Sequence, residues 1–536
     1  MTETEDTRFP LLFKAREGWT VAILLGLAFG VRLYLVFNTY LITHDGILYI
    51  KISKLISQGQ VSEAFDFYFL NLYPLITAVF QRLFYDWEFS AQMVSTVFGS
   101  LTIIPFYLLT RSLFNRTVAL ISSILFGFHP YLVRLSAEVI RGPTFWFFLM
   151  MALWVGWEAI CRKRAWLFCL TSLLGAVSFL LRPEGIFVIP MVAVWMLLKD
   201  WGTFKSTYRQ RIVCELALLL TVPILLSPGM LYLKKKTGRW HWARSDAFVE
   251  MATADLTMSY VKDDFQKLEL KPWDESPQGR VEFMRLRQFL SLATEHRMGI
   301  VVLEMISKFQ KAMHPLLLVL LLFGTIRRKK VQYHKIGELF LLCALAVLSL
   351  ILVRYGTFYP YIGTRHMMAC VMLCLPWAGA GVVEAEHRIS NTFLMAKSTG
   401  ARLASFRYLG WPLLVLIVLT LLPKTLVSQR VEKIPIKEAG IWMKEHGPTN
   451  PVIMGQGQLV RIAFYADGTF LQVPRDQDLF EYAKKNQVNF LAVKEKNIEK
   501  THPGLSPSLN PEHFKEEVAV GRPSGPYLIR IYSVKN

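Results

Sequence analysis

Long apolar runs separated by short polar breaks dominate the first 430 residues. Most of them approach or reach the roughly 17 to 25 residues that a helix needs to cross a hydrocarbon core. About eleven are legible, over residues 19–40, 88–111, 117–131, 143–161, 165–181, 184–200, 211–231, 309–326, 335–354, 365–384 and 408–428. Two stretches in the break after the first run are one-sided instead. In LITHDGILYIKISKLI, Leu48, Ile52, Leu55 and Ile56 recur at helical spacing on one face, with Asp45 or Thr43 at the N-cap. Leu72–Phe84 is amphipathic in the same way, and helices of this kind lie along a membrane surface or pack as a re-entrant pair.

Beyond residue 430 the rhythm changes. IPIKEAGIWMKEHG reads as a helix, PVIMG as a strand, QLVRIAFYADG as a helix and TFLQVP as a strand. DQDLFEYAKKNQ and VNFLAVKE then repeat helix and strand, and PYLIRIYSV closes as another strand. The expected fold class is a polytopic α-helical membrane protein (residues 1–430) with a small α/β extramembrane domain (residues 431–536). Gly455-Gln456-Gly457 lacks the third glycine of a dinucleotide fingerprint, so the small domain is expected to be a lid or acceptor-binding accessory.

Composition supports the membrane class. Of 536 residues, 53% are apolar, 13% aromatic and only 19% charged, with mean hydropathy +0.35, too oily for a soluble chain. The first run exceeds a signal-peptide core and has no small-x-small cleavage site before Asp45, so it is expected to stay in the membrane. A net charge of +20 raises the question of nucleic acid, but much of the excess sits in short alternate loops such as Cys161–Arg164, Lys199–Arg211 and IRRKKVQYHK. Positive charge in such loops sets orientation, which places the N-terminus inside, the C-terminal segment outside, and nucleic acid among the excluded partners. The six cysteines fall in or at the inner edge of spans, which argues against a disulfide framework. The sequon Asn115-Arg116-Thr117 falls on the inner side and should be silent.

The breaks assigned to the outer side are long and patterned, including residues 42–87 and 233–308. Ionisable residues at a membrane edge cost desolvation and need a partner or a ligand, and here they cluster on one side. His44 and Asp45 follow the first run; Arg134, Glu138 and Arg141 are spaced four and three apart, as on one helix face. Arg182 and Glu184 stand in FLLRPEGIF, Arg365 and His366 in YIGTRHMMA, and Arg32 lies too deep in the first run to be an ordinary flank. A guanidinium is charged at any physiological pH and grips phosphate bidentately. The clusters therefore suit an anionic ligand, though each arginine alone is equally well explained by snorkelling to headgroups. In TGRWHWARSDAF, Trp240 and Trp242 flank His241, a pattern that suits a membrane interface or, less often, stacking on sugars.

These motifs carry a resemblance. An acidic residue after the first span, then Tyr49, an amphipathic helix ending in SQG, and NLYPLITAVFQRLF resemble the first outer loop of the GT-C membrane glycosyltransferases. The branch is that of the protein O-mannosyltransferases and the aminoarabinose lipid A transferases. SAEVIRGPTFWFFLMMALW, LLRPEGIFVIP and TRHMMACVMLCLPW resemble its later segments, so that order and spacing across the whole chain carry the likeness.

The resemblance implies a sugar donor linked to polyprenyl phosphate, a lipid, glycan or protein hydroxyl as acceptor, and a bacterial inner membrane with the active face in the periplasm. It implies an inverting transfer in which Asp45 is the catalytic base, with His44 the alternative. Arg182, Arg365, Arg141 and Arg32 would bind the donor phosphate, supported by Glu138, Glu184, Tyr49 and His366. Many members carry two adjacent acidic residues in the first loop, whereas this chain has His44-Asp45-Gly46. A divalent metal thus lacks a second local carboxylate, and no cofactor is called for by the motif. A transporter or flippase of lipid-linked sugars is the alternative; it predicts internal repeats and charges at the bilayer midplane, which the sequence does not display. A membrane scaffold with an outer docking domain would leave the charge clusters idle.

Overall fold

The computed structural model describes residues 15–67, 71–199, 208–238, 297–326, 335–358, 362–396, 410–474, 478–496, 509–523 and 525–535. The Trp240–Trp242 motif and most of the 233–308 segment lie outside the described residues.

Every apolar run has a helical counterpart. The helices are α1 (Ala15–Phe37), α2 (His44–Ser57), α3 (Val61–Phe67), α4 (Leu72–Phe84), α5 (Trp87–Leu101), α6 (Ile103–Leu113), α7 (Arg116–Gly127), α8 (Pro130–Ser136), α9 (Gly142–Arg162) and α10 (Ala165–Leu181). They continue with α11 (Val188–Lys199), α12 (Tyr208–Thr237), α13 (Arg297–Met313), α14 (Pro315–Thr325), α15 (Lys335–Phe358), α16 (Met368–Ala396) and α17 (Gly410–Thr425). Among the described residues six helices are long and apolar enough to cross a membrane, or up to eight if each of two bent pairs is one span. That is fewer than the about eleven read from hydropathy. The apolar helices at Ala165–Leu181, Pro183–Leu197 and Trp411–Thr425 are shorter, at 10–17 residues.

The two bent pairs break at His-Pro. Pro130 and Pro315 each open a new helix, because proline fits a first turn but cannot donate within one. The chain turns by 57° between α7 and α8 and by 103° between α13 and α14. The expected spans at 117–131 and 309–326 are therefore each interrupted. The first break leaves carbonyls without helical partners, and other helices cover them. Thr425 donates to the Phe128 carbonyl at 2.9 Å, and Arg32 to the Gly127 carbonyl at 3.2 Å. Satisfying freed backbone from a neighbour is what a break inside a bundle requires.

Helices α14 and α16 cross at backbone contact. A Cβ on Gly324 would lie 1.8 Å from the Trp377 carbonyl oxygen, and one on Gly381 1.8 Å from that of Leu320. Small residues let membrane helices approach this closely. Gly381→Leu must push the helices apart, so we expect a loss of about 1–3 kcal/mol or more, read as a lower thermal midpoint of the solubilised protein. A Gly381→Leu variant that melts with the wild type would contradict this crossing.

After α17 the chain forms α18 (Ile434–His446), β1 (Val452–Gly455), α19 (Arg461–Tyr465), β2 (Thr469–Gln472), α20 (Leu479–Lys485), β3 (Phe490–Lys494), β4 (Phe514–Val520) and β5 (Ile529–Val534). The sheet order is β2-β1-β3-β5-β4, with β1 parallel to β2 and β3, and β5 antiparallel to β3 and β4. Alternate residues serve opposite faces. Ile453, Ala492 and Ile531 pack with Ile436, Met443 and Ile462, whereas Met454, Leu491 and Val493 pack with Leu479 and Ala483. The helices and strands read from residues 434–534 are present, and β4 is an addition to them.

The sheet unit lies on the same side of the bundle as the exit of α1. Thr39 bridges Gln429, Tyr40 donates to the Gln429 carbonyl at 3.3 Å, and Leu41 is buried among Ile436, Ala439 and Ile462. None of the six cysteines is joined in a disulfide, and Cys370 and Cys374 are buried in α16. Asn115 caps α7, its Oδ1 accepting from the Val118 N–H at 2.9 Å.

Candidate active site

The first loop places Asp45 by its caps. Thr43 is the N-cap of α2, its hydroxyl oxygen accepting from the Gly46 N–H at 2.9 Å while donating to the Val139 carbonyl at 2.8 Å. Asp45, one of the two capping candidates, is thereby left in the first turn of α2 with its carboxylate unused by the helix. Its Oδ2 accepts instead from Nη1 of Arg365, 320 residues away, at 2.6 Å. The Arg365 side chain is 45% exposed and that of Asp45 19%. An ion pair this open is worth about 0–1 kcal/mol, so an incoming anion can compete for the guanidinium.

Position 46 accounts for the departure from a paired acidic motif. A Cβ on Gly46 would come within 2.9 Å of Val139 Cβ and 2.8 Å of Thr43 Oγ1, so a carboxylate has no room there.

Arg365 and His366 sit in a short 3-10 turn, Thr364–Met367, where His366 Nδ1 accepts from the Gly363 N–H at 3.0 Å and its ring lies 5.2 Å from that of Tyr355. Facing them is the turn that ends α10. Gly185 packs so closely on the last turn of α10 that a Cβ would meet Ser178 backbone at 2.5 Å. That tight reversal sets Arg182 and Glu184 side by side: Arg182 donates to Glu184 through Nη2 at 2.7 Å and Nε at 3.4 Å, and lies 5.5 Å over the Phe145 ring. A small pocket opens between Phe145, Trp146, Arg182, Glu184, Arg365 and His366, with Leu348, Leu352 and Ala369 completing its lining. Arg141 ends the preceding loop as the N-cap residue of α9, and it acts electrostatically on Tyr355 together with Arg182, Arg365 and Glu184. Arg182, Arg365 and Glu184 line the pocket itself, with Asp45 paired to Arg365 at its rim.

Other residues singled out from sequence lie elsewhere. Arg32 is fully buried, bonded to the carbonyls of Ala28 and Gly127 and set 5.7 Å over Phe126, and it does not line the pocket. Its place at a helix break is a structural one. Arg134, Glu138 and Arg141 do not share a helix face, because α8 ends at Ser136 and α9 begins at Gly142. Glu138 pairs instead with Arg430 at 2.7 Å and with Arg134 at 3.6 Å. Tyr49 is buried edge-on against Tyr73, at 5.2 Å between ring centres, within the packing of the loop. His44 Nε2 meets Arg461 Nη2 at 3.1 Å. Tyr355, Arg430, Arg461 and Tyr465 were not among the residues read from sequence. Among the described residues no three His, Cys, Asp or Glu side chains gather as a metal site would need.

A family model described as dolichyl-phosphate-mannose-protein mannosyltransferase matches residues 72–226, a segment that holds Glu138, Arg141, Arg182 and Glu184. Among solved structures, the undecaprenyl phosphate-bound ArnT from Cupriavidus metallidurans is similar with TM-score 0.55 and 13% identity, over 96% of this chain and 98% of that one. Its apo state gives TM-score 0.54 and 11% identity, over 97% and 98%. The oligosaccharyltransferase AglB from Archaeoglobus fulgidus, in complex with an inhibitory peptide and a dolichol-phosphate, gives TM-score 0.54 and 12% identity over 97% of this chain and 74% of that one. No curated protein matches the sequence.

Together with six to eight helices long and apolar enough to cross a membrane among the described residues, these comparisons describe a multi-pass membrane protein whose fold is similar to that of ArnT and AglB, with a mannosyltransferase-like segment over residues 72–226. The likeness agrees with the resemblance its motifs carry to the protein O-mannosyltransferases and the aminoarabinose lipid A transferases.

Proposed function

We propose that the protein is an inverting glycosyltransferase that moves a sugar from a polyprenyl-phosphate-sugar donor to a hydroxyl acceptor at the outer face of a bacterial inner membrane. The observation that carries this reading is the Asp45–Arg365 contact, which joins a carboxylate of the first loop to a guanidinium at the rim of the Arg182–Glu184 pocket. The polyprenyl phosphates named with the similar ArnT and AglB structures support the donor class.

In this reading the donor phosphate enters the corner formed by Arg365, Arg182 and Arg141 and draws Arg365 away from Asp45. The freed carboxylate takes the proton of the acceptor hydroxyl, and the hydroxyl oxygen attacks the anomeric carbon on the side opposite the phosphate. The bond from that carbon to the phosphate oxygen breaks, its electron pair stays with the phosphate, and the configuration inverts. The departing phosphate is a weak base that arginines stabilise, so no general acid is required. Glu184 holds Arg182 in orientation through its bidentate contact, and His366 shapes the turn that carries Arg365. The sheet unit over residues 431–536 covers the first loop from the same side and serves as the accessory to acceptor binding.

The test is sugar transfer by the purified protein in lipid, with a panel of polyprenyl-phosphate sugars and a cell-envelope extract as acceptor. Release of polyprenyl phosphate coupled to a β- or α-linked product of inverted configuration is the expected result. A product that retains the donor configuration would contradict the single displacement.

A further inference from the structure

The turn from α1 into α2 is held at four successive residues. The Leu41 carbonyl accepts from Arg430 Nη1 at 2.8 Å, and the Ile42 N–H donates to the Tyr465 hydroxyl at 2.9 Å. The Thr43 hydroxyl donates to Val139, and His44 Nε2 faces Arg461 Nη2 at 3.1 Å. Three of these four partners come from the chain after α17, roughly four hundred residues downstream, and Asp45 is the next residue along.

The grip is itself anchored. The Tyr465 hydroxyl passes its proton side to Glu88 Oε1 at 3.0 Å, and Lys437 Nζ lies 3.8 Å from the other Glu88 oxygen and 5.1 Å over the Tyr465 ring. One hydroxyl therefore accepts from the catalytic loop and donates to the start of α5, so it cannot shift without breaking one of the two. Arg461 is buried, and a guanidinium only donates. In that contact His44 Nε2 is the acceptor. That occupies the lone pair with which His44 would act as a base.

We propose that Tyr465 and Arg461 are positioning residues for sugar transfer, through which the C-terminal sheet unit fixes the turn that presents Asp45 to the acceptor hydroxyl. This inference rests on the reading of Asp45 as the base. Neither side chain touches the reacting atoms; each acts through the backbone or side chain of a residue just before Asp45. The sheet unit is then part of the catalytic apparatus as well as a cover, because displacement of a base by about 1 Å can cost roughly a hundredfold in rate.

The experiment compares initial rates of the full-length protein in lipid for wild type, Tyr465→Phe, Arg461→Met, Asp45→Asn and the double variant Tyr465→Phe/Asp45→Asn. Tyr465→Phe keeps the ring and removes only the hydroxyl, so the sheet core stays filled. We expect Tyr465→Phe and Arg461→Met each to lower kcat by about 10- to 100-fold with the donor KM within about twofold of wild type. The double variant should be no slower than Asp45→Asn alone, because residues that act through one group are not additive. A wild-type kcat in Tyr465→Phe, while Asp45→Asn is inactive, would overturn this inference and leave the base assignment standing. So would a loss that multiplies in full on the Asp45→Asn background, since that is the signature of general destabilisation. Full activity in Asp45→Asn would overturn both.

Discussion

Asp45→Asn is expected to lower kcat by about 10²- to 10⁴-fold, the usual contribution of a positioned base, while the protein folds and inserts as the wild type does. The separation of these two effects follows from the caps. Thr43 and not Asp45 closes the first turn of α2, so the helix loses no cap. The asparagine keeps an oxygen that can accept from Arg365, and what disappears is the negative charge and its basicity. The charge also favours the N-terminal end of α2, an effect of about 0.3–1 kcal/mol at an exposed site. A loss of that size lowers the thermal midpoint slightly and does not remove the protein from the membrane. Initial rates alongside a melting curve separate the two readouts.

Arg365→Gln is expected to have the second largest effect, a fall of about 10²- to 10³-fold in kcat, as when one donor to a developing negative charge is removed. Arg365 is the better choice than Arg182. Its side chain is 45% exposed and its partner Asp45 keeps access to water, so removing the charge leaves no buried ion stranded. Arg182 is 13% exposed and bonded to Glu184, which is 9% exposed, and truncating it would leave a buried carboxylate unpaired. In Arg365→Gln the donor KM should also rise, because the ground-state phosphate already carries charge that the guanidinium would meet. Rates measured over a range of donor concentration distinguish this from Asp45→Asn, where the base contacts the acceptor and the donor KM should hold. A fall in kcat for Arg365→Gln with no change in donor KM would place Arg365 on Asp45 rather than on the phosphate.

What the sequence made legible was the part of the molecule written in local pattern. Apolar runs became helices, and the helix–strand alternation after residue 430 became a sheet with helices on its faces. The strand Phe514–Val520 went unseen because FKEEVAV places charges at three of its first four positions after Phe514, as an edge strand tolerates but a buried strand does not. Asp45, Arg182, Glu184, Arg365 and His366 stood out for the same local reason, a charge at the end of an apolar run. Their gathering around one corner comes from tertiary packing across 320 residues.

Arg32 shows where local pattern misleads. A guanidinium deep in a span invites a ligand, but its partner is a backbone carbonyl at the His129-Pro130 break on another helix. The proline that makes the break is visible in the sequence; the helix that answers it is not. Glu138 is a similar case, spaced for Arg134 and Arg141 yet bonded most closely to Arg430, 292 residues on. Tyr465 and Arg461 carried a weaker signal still. Polar groups in a short helix of a small α/β unit look like surface, and only the contact with Ile42 and His44 gives them a role.

We propose that this membrane protein transfers a sugar from a polyprenyl phosphate with Asp45 as its base. The most direct measurement is release of polyprenyl phosphate by purified wild type and Asp45→Asn, in lipid, with polyprenyl-phosphate sugars as donors and a cell-envelope extract as acceptor. Release by the wild type that falls at least about a hundredfold in Asp45→Asn is the result we predict. Equal release by both proteins would contradict the role of Asp45, and no release by either across the donor panel would contradict the glycosyltransferase reading itself.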